Sequence, residues 1–166
     1  MRVLLALGSF LGLAVVAGCG SDDPANVEGN FTVAVTNRDN GCNIPSWTVG
    51  DSQANIPVVI TQEGTAVTAT VMGFTGASLN IGLGSNVFSG TVDGNDLDLD
   101  LFGTRPQMKD TCTYTLNGKI VGSIDGDTLE GRVNYSIATT TPTNPDCASI
   151  QGCLSFQEFN GTRPPT

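Results

Sequence analysis

Apolar and polar residues alternate with a period of two along most of the chain after residue 28. Between residues 87 and 137 the alternation is interrupted by two short dipeptides, Gly94-Asn95 and Gly126-Asp127. Glycine supplies the positive φ that the tight turns of β-hairpins demand, so each dipeptide predicts a two-residue hairpin turn. A third such turn is predicted at Glu63-Gly64. The pattern therefore predicts a series of antiparallel hairpins.

Each predicted turn fixes a register, and the register sorts the side chains onto two faces. The large apolar residues share one face, whereas Asp96, Asp98, Asp100 and their polar neighbours share the other. This one-sided alternation is typical of an antiparallel sheet with one wet face. The predicted facing pairs are Val92 with Leu97, Ile124 with Leu129, Gly118 with Tyr135, and Ile60 with Val67.

About eight strands follow from the pattern. No long stretch after residue 18 shows a helical period. The predicted strands cover residues 31–36, 56–62, 67–72, 87–92, 97–102, 112–124, 129–137 and 153–159, and the long loops cover 37–55, 73–86, 103–110 and 138–152.

The three tight turns lie at one end of this arrangement and the four long loops lie at the other. An even-stranded meander of this kind favours an all-β, antiparallel up-and-down β-barrel. A two-sheet β-sandwich is the alternative, because the same alternation permits it. The chain has 166 residues, enough for one domain with a core, and residues 29–163 are predicted to form it.

Residues 1–18 are predicted to be a signal peptide, with Arg2 followed by an apolar run too short for a comfortable membrane span. The motif Val16-Ala17-Gly18-Cys19 resembles the lipobox of bacterial lipoproteins. The resemblance implies cleavage before Cys19, lipidation of that cysteine and a membrane anchor in the bacterial cell envelope. Gly20, where aspartate would favour inner-membrane retention, implies the outer membrane. A plain secretory leader is the alternative, and residues 19–28 are predicted to form a flexible tether.

The predicted barrel is similar in organisation to the lipocalins and avidins. Gly29-Asn30-Phe31 opens the first predicted strand where lipocalins carry Gly-x-Trp, with Phe31 in the position of the tryptophan. The resemblance implies a barrel that is either filled by side chains or holds one small ligand.

Four cysteines remain in the predicted domain, and an even number in an exported chain predicts two disulfides. If the last strand lies beside the first, Cys153 comes near Cys42, and Cys112 and Cys147 flank one hairpin. This reasoning favours Cys42–Cys153 with Cys112–Cys147, and Cys42–Cys112 with Cys147–Cys153 is the alternative. The sequence has no histidine and no Cys-x-x-Cys motif, so a zinc site is not predicted.

Composition excludes several kinds of chemistry. Without histidine there is no Ser-His-Asp triad, and no phosphate-binding loop is found, so we predict neither an enzyme nor a cofactor. A formal net charge of −9 argues against binding to nucleic acid. The three aspartates of residues 96–100 lie about 6.6–7 Å apart on one strand face, too far for one calcium ion. A charged stripe that discourages edge pairing is the favoured interpretation, and calcium binding is the alternative.

Trp47 is the only tryptophan and lies in the longest predicted loop. Its ring is predicted either to contact a ligand or partner at the mouth or to plug the barrel end. The leading hypothesis is a surface lipoprotein that contacts a protein, a polysaccharide or the envelope through disulfide-stapled loops. The alternatives are a carrier of a small apolar ligand inside the barrel and a protease inhibitor.

Overall fold

The structure is a computed structural model that describes residues 24–139 and 143–164. The predicted leader and the predicted lipidation site Cys19 lie outside the described residues. The elements are β1 (Gly29–Asn40), β2 (Ser52–Glu63), β3 (Ala66–Val71), α1 (Gly73–Gly82), β4 (Val87–Asp93), β5 (Asp96–Leu101), β6 (Gln107–Lys109), β7 (Cys112–Asp125), β8 (Thr128–Thr139), α2 (Pro145–Ala148) and β9 (Leu154–Thr162).

Eight of the strands form a closed antiparallel barrel. Each strand pairs with its neighbour in the chain from β1 to β5 and from β7 to β9, β9 pairs with β1, and β5 pairs with β7. The short strand β6 adds to the beginning of β7. The prediction of an all-β up-and-down barrel is confirmed, and the sandwich alternative is wrong because the sheet closes on itself.

Two of the three predicted registers are confirmed. Val92 pairs with Leu97 in the β4–β5 hairpin, and Ile124 pairs with Leu129 in the β7–β8 hairpin. The inward face of the strands forms one continuous core. Its fully buried large side chains include Phe31, Val67, Phe88, Val92, Leu97 and Leu99.

The third predicted register is wrong by two residues. Glu63 pairs with Ala66, so the tip of the β2–β3 hairpin is Gly64-Thr65 and Ile60 faces Ala69. A shift of two residues returns each side chain to the same face, whereas a shift of one would invert the strand. The predicted inward residues of this hairpin are therefore still buried.

The β1–β2 loop is shorter than predicted, and the other three loops contain some regular structure. Strand β1 extends to Asn40, and strand β2 begins at Ser52. Helix α1 occupies most of the predicted loop 73–86. This helix was not predicted because it has no N-capping side-chain hydrogen bond and no charged residue in its first or last turn. None of the helices among the described residues is long and apolar enough to cross a membrane.

The barrel has two different ends. We call the end with the turns at Gly64-Thr65, Gly94-Asn95 and Gly126-Asp127 the turn pole. We call the opposite end, formed by the connections β1–β2, β3–β4, β5–β7 and β8–β9, the loop pole.

The turn pole is closed by the segment that precedes β1. Val27 is completely buried in the core, and its backbone N–H donates to Gln62 Oε1 at 2.8 Å. The N–H of Ala25 donates to the carbonyl of Gly94 at 2.8 Å. Residues 24–28 belong to the predicted tether, and within them Val27 provides an apolar anchor in the core.

Arg163 fastens this segment to the end of the barrel. Its Nε lies 3.0 Å from Asp127 Oδ1, and its Nη1 donates to the Glu28 carbonyl at 2.6 Å. Its Nη2 donates to the carbonyl of Asn26 at 3.1 Å, and the guanidinium lies over the Phe31 ring. Both ends of the described chain therefore meet at the turn pole.

Candidate ligand-binding site at the loop pole

Two disulfides fix the connections at the loop pole. Cys42 is bonded to Cys153 and Cys112 to Cys147, with Cα–Cα distances of 4.9 and 5.1 Å. This is the first of the two pairings considered from the sequence. One disulfide holds the β1–β2 connection against the beginning of β9, and the other holds α2 against the beginning of β7.

The β1–β2 connection folds over the mouth of the barrel. The Cys42 N–H donates to the hydroxyl of Ser155, which is completely buried and donates in turn to Asn40 Oδ1. Asn40 also binds both backbone groups of Ile44, at 2.7 and 3.0 Å. This network holds the connection in one place above the core.

Trp47 is part of the mouth. Its indole N–H donates to the carbonyl of Arg38 at 2.9 Å, and its ring meets the ring of Tyr135 edge to face, with the centroids 5.8 Å apart. The ring is half-buried, packs against the core and lines a pocket that opens at the loop pole. Trp47 therefore packs against the core on one side and borders the mouth on the other.

Helix α1 forms the opposite wall of the mouth. Thr75 and Leu79, one turn apart, face inward, whereas Phe74 and Ile81 are exposed to 82% and 78%. The helix can approach β3 closely only because residue 76 is glycine, since a Cβ there would lie 2.1 Å from the Val71 carbonyl oxygen.

Two further contacts hold the helix. Gln53 Nε2 donates to the Thr75 hydroxyl at 2.7 Å, and Gln107 Nε2 donates to the Gly82 carbonyl at 3.1 Å. Beyond the helix, the buried Leu83 accepts hydrogen bonds at its carbonyl from the N–H groups of Thr104 and Arg105. The C-terminal end of helix α1 is therefore held by hydrogen bonds to the β5–β7 connection.

Between these walls lies a pocket of about 320 Å³, which we call the mouth pocket. Its volume falls at the lower end of the range typical of small-molecule sites. Most of its surface is apolar, and it has no charged side chain. Its lining residues are Cys42, Asn43, Ile44, Pro45, Trp47, Thr75, Ser78, Leu79, Gly82, Leu83, Gln107, Tyr114, Leu116, Tyr135 and Ile137.

A second space lies below the mouth pocket, inside the barrel. This interior cavity measures about 70 Å³ and is lined almost entirely by apolar side chains, among them Val33, Val58 and Phe159. Thr75, Leu79 and Tyr135 line both spaces and so form the boundary between them. The barrel thus leaves room inside that reaches from Leu97 and Leu129 up to the boundary with the mouth pocket.

A polar network lies at the boundary between the two spaces. The Tyr135 hydroxyl donates to Gln157 Oε1 at 2.9 Å, and Gln157 Nε2 donates to Asn37 Oδ1 at 2.7 Å. Burial raises the pKa of the Tyr135 hydroxyl, so the group stays neutral at physiological pH. The walls therefore offer neutral hydrogen-bonding groups within an apolar surface.

Apolar side chains also surround the mouth on the outside. Seven of the eight large apolar residues that are exposed among the described residues belong to the loop pole, and Val121 on the barrel wall is the eighth. Exposed apolar surface of this kind commonly marks a site of interaction. The seven are Val49, Met72, Phe74, Ile81, Phe102, Met108 and Leu154.

The outer wall of the barrel is different in character. A wide groove there is lined by polar and charged side chains, among which Arg38 pairs with Glu158 at 2.8 Å. In the aspartate row, Asp98 lies 2.6 Å from Lys119 Nζ, and this hydrogen bond raises the pKa of Lys119. The part of the chain that the structure describes holds no group of three or more His, Cys, Asp or Glu side chains placed for a metal ion.

Comparison with protein-family models, with curated proteins and with solved structures finds no match to this chain. The class of protein therefore follows from the fold and the site alone. A disulfide-containing β-barrel with an apolar pocket at its open end fits a binding or carrier module.

Sequence reasoning found some members of this site and missed others. It placed the cysteines and Trp47 at the loop pole, where the structure brings them together. It missed Thr75 and Leu79, because they belong to a helix without a recognisable sequence signal. It also missed the Tyr135–Gln157 pair, because a register predicts facing residues on one hairpin but not hydrogen bonds between more distant side chains.

Proposed function

We propose that this protein is a non-enzymatic binding module that takes up a small apolar molecule, or the apolar part of a larger one, in the mouth pocket. The observation that supports the proposal is the apolar, uncharged space between Trp47 and helix α1, which continues toward a cavity inside the barrel. A preformed concave apolar pocket with a few polar groups is the usual form of a small-molecule site.

The size of the two spaces defines what they accept. The interior cavity is about half the size of an engineered apolar cavity of about 150 Å³ that binds benzene. The mouth pocket is about twice that size. The mouth pocket would therefore hold the main body of a ligand, and the interior cavity would hold a short apolar end.

Trp47 makes the proposal directly measurable because it is the only tryptophan and lines the pocket. The protein, with its disulfides intact, is titrated with the uncharged apolar dye N-phenyl-1-naphthylamine. We expect saturable dye fluorescence together with quenching of Trp47 emission. Absence of saturable binding up to the solubility limit of the dye would contradict the proposal.

A matched pair of variants locates the dye. A Cβ at Gly82 meets no atom within 4 Å, so Gly82→Phe adds bulk at the lining of the mouth pocket without a backbone clash. Ser89→Phe adds the same group on the exposed outer face of β4. We expect Gly82→Phe to weaken dye binding at least tenfold and Ser89→Phe to leave it unchanged. Equal affinity in both variants would place the dye elsewhere.

We further propose that the module is a lipoprotein of the bacterial outer membrane, anchored through Cys19. The lipobox supports this, and so does the position of Ala25, which lies at the turn pole, opposite the mouth pocket. An anchor beyond Ala25 would leave the mouth pocket facing away from the membrane. Metabolic labelling with palmitate should mark the native protein and not Cys19→Ser, and labelling of both would contradict the assignment.

The exposed apolar side chains of the loop pole favour a second candidate function. Phe74 and Ile81 lie on the outer face of α1, and Phe102 and Met108 lie in the β5–β7 connection. Such residues suit contact with another protein or a polysaccharide of the envelope. Chemical crosslinking in the native host tests this role: a partner lost in Phe74→Ser but retained in Gly82→Phe would assign the contact to the outer face of the loop pole.

A further inference from the structure

The walls of the mouth pocket and of the interior cavity carry no formal charge. No lysine, arginine, aspartate or glutamate among the described residues lines either space. Of the charged groups at the loop pole, Arg38 pairs with Glu158, and Lys109 donates to the Ser149 hydroxyl. Arg105 belongs to the β5–β7 connection but lines neither space. A charged ligand group would therefore enter the site without a counter-ion.

The cost of an unpaired charge in such a site is high. A buried ion without a partner loses its hydration and gains nothing in return, and this holds for a carboxylate as for an ammonium group. The formal net charge of −9 adds a long-range repulsion against anions. The site thus discriminates against ions of both signs once they are buried, and against anions also on approach.

The boundary between the two spaces does offer neutral hydrogen-bonding capacity. The Thr75 hydroxyl accepts from Gln53 Nε2, and its own O–H can still donate. The Tyr135 hydroxyl donates to Gln157, and its oxygen can still accept. One hydroxyl-like group of a ligand could bind to one or both of these side chains.

From these observations we infer that the site selects an uncharged amphiphile, a mainly apolar molecule whose polar group is a hydroxyl or a similar neutral group, over a carboxylate or an ammonium ion with the same chain. This inference rests on the proposed binding function. The polar group lies at the Thr75–Tyr135 boundary, and the apolar remainder fills the adjoining space.

The test is displacement of N-phenyl-1-naphthylamine from the native protein by decan-1-ol, decanoate and decylammonium at neutral pH. We expect decan-1-ol to bind at least ten times more tightly than either ion. At pH 4 decanoate is largely protonated, so its affinity should approach that of decan-1-ol, which serves as the control for any change in the protein itself.

Thr75→Val separates recognition from structure, because valine keeps the shape of threonine and removes the hydroxyl. We expect this variant to lose about threefold to tenfold in affinity for decan-1-ol and clearly less for the apolar dye, which carries no hydroxyl. Equal loss for both compounds would assign Thr75 a packing role only.

Each remaining outcome decides one of the two proposals. Equal binding of the three compounds, tighter binding of an ion, or failure of all three to displace a bound dye would overturn the selectivity and leave the mouth pocket standing as a binding site. Failure of the dye itself to bind would instead overturn the proposed function.

Discussion

The turn pole and the loop pole are built from the same eight strands but end in different ways. At the turn pole the connections are two residues long, and Val27 and Arg163 seal the core with apolar contact and hydrogen bonds. At the loop pole the connections are long, disulfides hold them, and the mouth pocket lies between them. One end of this barrel is thus closed by its own chain, whereas the connections at the other end are held by disulfides around a pocket.

The largest expected effect comes from removing the Cys42–Cys153 disulfide, which holds the β1–β2 connection over the mouth. The Cys42–Cys153 disulfide spans 111 residues and Cys112–Cys147 spans 35. On the chain-entropy model, Cys42→Ala with Cys153→Ala should cost about 4–5 kcal/mol of unfolding free energy, about 1 kcal/mol more than the other pair. Denaturant unfolding measures both.

The same double variants test whether stability and binding are linked at the loop pole. Cys42 lines the mouth pocket, whereas the Cys112–Cys147 pair lies outside it. Loss of dye binding should therefore be greater for the Cys42–Cys153 variant in native buffer. A larger loss in the Cys112–Cys147 variant would show that α2, and not the β1–β2 connection, shapes the pocket.

Shortening Val27 tests the seal at the turn pole. Val27→Ala leaves a cavity in the core and should lower the free energy of unfolding by about 2 kcal/mol. Val121→Ala, which changes the same side chain on the exposed wall, is the matched control and should have a small effect. Dye affinity should stay unchanged in both variants, because Val27 lies at the end opposite the mouth pocket. Weaker dye binding in Val27→Ala would show that the seal at the turn pole affects the mouth pocket.

The buried hydroxyl of Tyr135 predicts a loss of stability in alkali. Its pKa is raised by burial, so above about pH 10 the unfolded chain releases this proton while the folded chain keeps it. Stability from this group is complete below about pH 10 and falls above it by up to about 1.4 kcal/mol per pH unit. Thermal unfolding between pH 8 and pH 11 should show a flatter profile for Tyr135→Phe.

Tyr114→Phe is the control for that profile, since the sequence has only two tyrosines. The Tyr114 hydroxyl donates to Gln107 Oε1 at 3.2 Å at the edge of the mouth pocket. An equal flattening in both variants would mean that burial of Tyr135 is not the cause.

The smallest expected effect is at Arg163. Arg163→Lys removes the forked contacts to the carbonyls of Asn26 and Glu28 and should cost about 1 kcal/mol. Hydrogen exchange should report faster exchange at the N–H groups of Ala25 and Val27, with unchanged exchange in β4. Unchanged protection of both N–H groups would show that Val27 holds the segment without Arg163.

The barrel could be predicted from the sequence because the alternation of apolar and polar residues is a local property. The glycine turns fix which residues of neighbouring strands face each other. Even the wrong register at Glu63-Gly64 kept Ile60 and Val67 inside, because the error was an even number of residues. The disulfide pairs followed from the neighbourhood of the first and last strands. These features depend on strand order and alternation alone.

The pocket could not be predicted in the same way. Its walls depend on how far α1 approaches β3 at Gly76 and on how Trp47 packs against Tyr135. Its volume depends on the sizes of side chains from many strands. Neither the packing of the walls nor the volume of the pocket repeats along the chain, so neither can be predicted from a periodic pattern.

The most direct test of the difference between the poles is an amide NMR titration of the protein with an uncharged apolar ligand such as decan-1-ol. We expect shifts at Trp47, Thr75 and Leu79 and unchanged resonances at Val27 and Arg163. Shifts concentrated at Val27 and Arg163, or no saturable shift at either pole, would contradict this expectation.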